Sequence, residues 1–312
     1  MYFYSQFLRL VLRTNITQLN KYYFSALSAF IIWGFISLLL KPMHIYAAMD
    51  ILFYRVFIGA GIMASILLFI NPGMRIENIK TFKNLATAEQ KKTLVNTLVG
   101  GALLAFNWFF FIYAMNNISI KAASYAYLIC PIITTVLAYF ILKEKLTQQQ
   151  WLAVLISFFS CCILAFNHLI DLAYSLIVAM SYALYLITQR NNNMLEKFFI
   201  LSLQMIFAAL FLLLLFPFFS THTTYDSNFY WQVFLLAVIF TIVPLWLNLY
   251  ALKGVNSSSM GILLYINPIL NFIVAALVFD EPTELTQIMG YVVIFLSIIL
   301  FNWARLKAMF TK

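Results

Sequence analysis

Charged residues are so sparse in this 312-residue chain that they leave ten runs without Asp, Glu, Lys or Arg. These are residues 22–40, 56–74, 93–120, 122–142, 146–170, 172–189, 198–225, 227–252, 254–279 and 285–304. A charged side chain at the centre of a bilayer costs about 2.5–3.5 kcal/mol, and a spanning helix needs about 20 apolar residues, so each run has the length and character of one span. The second starts nearer Asp50, because Ile51, Leu52, Phe53 and Tyr54 are apolar and only Arg55 interrupts them. Continuous apolarity argues for helices, since barrel strands are about ten residues long and alternate polar with apolar. Composition agrees: 64% of residues are hydrophobic and 9% charged, against about 25% charged in soluble domains. A water-soluble globule is excluded, and the expected fold is an all-α integral membrane protein of ten transmembrane helices.

Sorting the basic residues onto alternate sides of these spans gives a strong bias. Sixteen fall on the side of the N-terminus, from Arg9 and Arg13 through Arg75, Lys80 and Lys83 to Arg305, Lys307 and Lys312, while only Lys41 and Lys121 fall on the other. The positive-inside rule then makes both termini cytoplasmic, as an even number of spans requires. The net charge of +9 is thereby spent on membrane topology, and its scatter among short connections speaks against nucleic acid. Residues 1–20 read as a cytoplasmic extension, either laid along the interface or disordered, and 307–312 as a cytoplasmic tail. His44, His168 and His222 fall in outer connections, and Cys130, Cys161 and Cys162 in apolar runs. Neither a metal site, a cofactor site nor a disulfide framework is indicated.

The chain also resembles itself. A shift of 137 residues superposes Tyr113 on Tyr250, Ala114 on Ala251, Ile129 on Ile266, Pro131 on Pro268, Ala138 on Ala275, Glu144 on Glu281 and Gln150 on Gln287. Five spans lie in each half, 21–168 and 169–306, and because five is odd the second half enters from the opposite face. Two inverted five-helix repeats follow, the arrangement found in alternating-access carriers. Pro131 and Pro268 both fall near the bilayer midplane and each removes an intrahelical hydrogen bond. Paired interruptions of this kind point to a binding cavity.

Four stretches carry a family resemblance: AFNWFFFIYAMNN from Ala105, YLICPIITTVLAYFILKEKLT from Tyr127, TIVPLWLNLYALK from Thr241 and GILLYINPILNFIVAALVFDEP from Gly261. They resemble RarD-type permeases of the EamA branch of the drug/metabolite transporter superfamily, from about Lys21 to Trp303. Asn107-Trp108, Asn116-Asn117, Tyr127 with Pro131, Tyr265 with Pro268, and Glu281-Pro282 are its most specific elements. Cys130, Leu264 and Ala122 depart from it, standing where the family often has Asn, Gln and an acidic residue. The resemblance implies a permease in a multi-pass cell membrane of bacterial inner-membrane type.

Candidate substrate-binding residues follow from polarity at depth. Arg55 is the one formal charge well inside a span: it either faces the bundle to hold a carboxylate or phosphate, or it snorkels toward the outer boundary or pairs with Asp50. Asn107 and Trp108, and Trp246 beside Pro244 in the matching span, are polar or amphipathic near the midplane, where helix-to-helix hydrogen bonding is the competing role. Asn267 and Asn271 share a helical face with Pro268, and Tyr127 and Tyr265 each lie one turn before a repeated proline. Trp33 and Tyr185 complete the set, with ordinary aromatic packing as the alternative. Pro131, Pro244 and Pro268 are the expected helix kinks.

These features predict a secondary transporter that moves a small organic metabolite, amino-acid-like or a drug-like amphipath, by alternating access. Its partners are the substrate and the lipid bilayer, and monomer and homodimer both fit. An ATP-driven pump would show a Gly-x-x-x-x-Gly-Lys loop, an enzyme a clustered acid, base or metal set, and a channel a charged or carbonyl-lined ring. None of these is visible, and the chain is not expected to be an enzyme.

Overall fold

A computed structural model describes residues 21–117, 120–165, 169–221, 223–280, 285–304 and 307. Residues 1–20, His168, His222, Glu281, Pro282, Arg305 and 308–312 lie outside the described residues. So do the side chains of Tyr113, Ala114, Asn116, Asn117, Lys121, Ala122, Ala275 and Gln287.

Among the described residues the chain is helical with short connections and no strand. In order the helices are α1 (Lys21–Leu40), α2 (Ala48–Ile70), α3 (Pro72–Asn84), α4 (Thr87–Asn117), α5 (Ile120–Ile141) and α6 (Gln148–Ala165). There follow α7 (Leu169–Asn191), α8 (Lys197–Phe219), α9 (Ser227–Ala251), α10 (Ser257–Val278) and α11 (Leu285–Phe301). Six of them, α1, α2, α4, α8, α9 and α10, are long and apolar enough to cross a bilayer. Shorter apolar helices cover Tyr127–Ile141, Gln148–Ile163 and Ile288–Phe301. The protein is a multi-pass membrane protein. Phe69, Leu214, Phe218 and Leu277, each more than 70% exposed, suit contact with acyl chains.

The connection after α2, expected from its charges to be a loop, instead contains α3. Asn71 starts this helix by accepting a hydrogen bond from Met74 N at 3.1 Å, with Pro72 in the first turn. Side-chain caps also start α8, where Glu196 accepts from Phe198 N, and α10, where Asn256 accepts from Ser259 N. Irregular turns mark three long helices. The last turn of α2 (Ile66–Ile70) and the middle of α9 (Val238–Ile242) widen to π geometry, and α10 breaks at Leu264–Tyr265 between Ser257–Leu263 and Ile266–Val278. Pro268 follows that break and Pro244 follows the π turn. Pro131, in contrast, lies inside a helix that runs on through it.

Helix α7 packs on α4 and α5, α8 on α2 and α4, α6 on α11, and the first half of α10 on α5. Close approach depends on glycine in two of these contacts. A Cβ on Gly261 would lie 3.1 Å from Pro131 O and 2.9 Å from Thr134 Cβ, and one on Gly100 would lie 2.4 Å from both the Gln189 and Gln204 amide nitrogens. The main core joins the two halves of the chain through Phe30, Met63, Leu104, Tyr185, Leu186 and Tyr265.

Candidate functional site

Arg55 sits eight residues into α2, and its guanidinium carbon lies 5.1 Å from the centre of the Trp108 ring on α4. Its Nε is buried without a hydrogen-bond partner among the described residues. Asp50, the carboxylate nearest in sequence, is engaged elsewhere. It accepts hydrogen bonds from the Tyr225 hydroxyl at 2.7 Å and from the Thr221 backbone and hydroxyl, closing the loop after α8. A guanidinium held under an aromatic ring and left without a carboxylate retains its donors for a ligand.

From Arg55 the polar groups run inward as a connected wall. Tyr127 on α5 is the electrostatic neighbour of Arg55, and its ring meets Phe111 edge-on at 5.4 Å. Tyr182 on α7 lies within electrostatic reach of Tyr127, Tyr185 and Cys130, and its hydroxyl accepts a hydrogen bond from Asn248 Nδ2 at 3.0 Å. The Asn248 Oδ1 and Tyr185 hydroxyl are buried without partners. Trp33 on α1 stands edge-on to Tyr182 at 6.3 Å. Its indole N–H donates to Phe240 O at 2.9 Å, the carbonyl four residues before Pro244 that the proline cannot bond. Thus a residue of α1 satisfies the acceptor orphaned by a proline in α9. Tyr265, wholly buried, contacts Cys161 Sγ at 3.8 Å and joins the wall through Cys130.

The structure therefore links Arg55, Trp108, Tyr127, Tyr185, Trp33 and Tyr265 in one chain of contacts through Tyr182 and Cys130. The remaining candidates lie elsewhere. Asn107 donates to Val178 O at 2.9 Å and Ser181 Oγ at 3.1 Å, a helix-to-helix tie between α4 and α7. Asn271 donates to Asn267 Oδ1 at 2.6 Å on α10, and Trp246 is 37% exposed and stacks on Tyr250 at the periphery. Tyr182 and Asn248 are not among the sequence candidates, because one more Tyr or Asn in so aromatic and apolar a chain carries little signal of its own. Sequence reasoning missed Gln189 and Gln204 altogether, two wholly buried residues whose amide atoms lack partners.

Away from these residues, polar ties join the helices at the end of the bundle where α5 leaves and α10 begins. Glu144, in the segment after α5, accepts from Ser257 N at 2.8 Å, Ser258 N at 2.9 Å and Ser258 Oγ at 2.6 Å, a second cap for α10 beside its own Asn256. Lys197 Nζ donates to Gln189 O at 2.9 Å and Asn192 O at 2.6 Å, and Arg190 reaches Leu252 O and Val255 O. Lys253 pairs with Glu196 at 3.0 Å.

A profile of the EamA-like transporter family matches the chain twice, over residues 20–166 and 170–303. The chain belongs to the EamA-like transporter family. An uncharacterized transporter of Bacillus subtilis, YojE, is 28% identical over 289 residues, 89% of this chain and 92% of that protein. Protein RarD of Escherichia coli is 26% identical over 287 residues, covering 88% and 92% of the two chains, and Protein RarD of Streptomyces exfoliatus is 26% identical over 290. A solved crystal structure superposes with a TM-score of 0.73 at 12% identity, covering 91% of this chain and 97% of that one, which establishes likeness of fold. As an EamA protein with transporter relatives the chain is a membrane transporter rather than an enzyme, and resembles the RarD-type permeases as its motifs imply.

Proposed function

We propose that the protein is a secondary carrier of a small amphipathic metabolite bearing an anionic group, working by alternating access between two inverted five-helix repeats, 21–168 and 169–306. On this reading it spans a bacterial inner membrane ten times with both ends cytoplasmic. The observation that carries it is the Arg55 guanidinium, which lies over Trp108 beside Tyr127 with a buried Nε that no group among the described residues satisfies. Removing a charge from water without a counter-ion is costly, and a ligand carboxylate or phosphate would supply the missing acceptor. The aromatic wall from Tyr127 to Trp33 suits an apolar body, and Asn248 and Tyr185 offer it hydrogen bonds. The polar ties where α5 leaves and α10 begins support a cavity that opens to one side at a time.

Counterflow in liposomes tests the proposal, with substrates first found by screening a metabolite library for thermal stabilisation of the purified protein. Acceleration of uptake by internal substrate is the expected result. Conductance would instead indicate a channel and product formation an enzyme. Arg55→Ala should abolish both stabilisation and flux. If Arg55→Ala leaves both unchanged, the assigned site is wrong even with the fold intact.

A further inference from the structure

Helix α3 has two faces with different tasks. Met74, Asn78 and Phe82, one turn apart, dock it: the first and last pack on the cluster of Leu67, Leu195, Phe199 and Ile200, and Asn78 Oδ1 accepts from Glu196 N at 2.8 Å. Both ends are fixed, by Asn71 at the start and by the Gln90 amide, which donates to Lys83 O at 3.1 Å and Leu85 O at 3.0 Å. The other face bears Arg75, Lys80 and Lys83 together with Ile76 and Ile79, which are 60% and 42% exposed. These residues and Asn84 border a shallow, open groove on the surface. The three cations make no ion pair with an acid among the described residues, and Glu77 is the one acidic residue of the helix. Immediately before α3, Phe69 and Ile70 are 79% and 76% exposed at the end of a membrane-crossing helix, so α3 begins where acyl chains give way to headgroups.

We propose that this face is a docking site for an anionic phospholipid, its phosphodiester held by Arg75, Lys80 and Lys83 and its glycerol and upper acyl carbons lying over Ile76 and Ile79. A soluble phosphate compound would use the cations and leave the isoleucines in water, whereas a lipid uses both. The rigid mounting of α3 fixes the cations as a platform. Through Glu196, which also pairs with Lys253, the occupied platform is tied to the loops between α7 and α8 and between α9 and α10. The proposal is independent of substrate and direction of transport.

Native mass spectrometry of the purified full chain, offered equal amounts of phosphatidylglycerol and phosphatidylcholine, tests it. The expected result is preferential retention of phosphatidylglycerol, falling about fivefold for each cation removed and vanishing in Arg75→Gln/Lys80→Gln/Lys83→Gln. Lys143→Gln/Lys145→Gln, which removes charge elsewhere at the same end, should keep the preference. Ile76→Ser/Ile79→Ser should weaken both lipids, and millimolar glycerol 1-phosphate should displace neither. Equal retention of the two lipids by the unaltered protein, a preference that survives the triple variant, or displacement by glycerol phosphate would each overturn the proposal.

Discussion

Helices α2 and α8 have the same length, 23 residues, and carry a polar side chain at the same eighth position, Arg55 in one and Gln204 in the other. Arg55 lies under Trp108 with an unsatisfied donor, in the part of the bundle where aromatic rings and buried amides converge. Gln204 is wholly buried and meets Gln189 across Gly100, where there is no room for a methyl group. One position therefore keeps a charge available, and its counterpart packs a neutral amide against bare backbone. If Arg55 holds the substrate as proposed, matching positions of the two halves divide the work, recognition at one and close packing at the other.

The largest expected effect separates these roles directly. Arg55→Ala should lower substrate affinity ~10–100-fold, the worth of a charge-assisted hydrogen-bonded contact, with unchanged protein abundance in the membrane. Gln204→Leu should leave affinity as it is, and if instead it matches Arg55→Ala in a binding assay, the division of labour fails. Gly261→Ala should destabilise the protein by about 1–3 kcal/mol, read as a lower Tm, because its Cβ would crowd the Pro131 carbonyl and Thr134 Cβ. Gly61→Ala, with nothing within 4 Å of the added carbon, is the silent partner to that measurement. Trp33→Phe should cost about 1 kcal/mol in thermal denaturation by leaving the Phe240 carbonyl unbonded. The smallest effect belongs to Lys253→Ala: its pair with Glu196 is about one-third exposed, so the stability change should stay below about 0.5 kcal/mol.

Much of this was visible in the sequence because insertion cost is a property of single residues. Charge-free runs at 122–142 and 198–225 anticipate α5 and α8, and Arg55 was noticed because it alone broke a run. Helix α3 was not, since its charges read as a loop until Met74, Asn78 and Phe82 are seen to share a docked face. The same helix hid the partner of Arg55. Before it the matching offset between halves is 149 residues, from Ala48 to Lys197, and after it 137, so a single ungapped shift pairs α5 with α10 but not α2 with α8. Asn107 and Trp246 show a different limit, because depth predicts polarity at the midplane but not which way a side chain turns. Asn107 spends its amide on α7, and Trp246 turns outward to Tyr250.

Besides its own cap at Asn256, α10 has a second one from Glu144, in the segment after α5. A helix capped by its own preceding residue can move as a unit, but one capped by a neighbour must surrender those bonds before the pair can separate. Parting α5 from α10 strips three donors from one carboxylate at a stroke, and only water can replace them. Hydration of that seam and its opening are therefore a single event, and a drier surrounding would hold it shut.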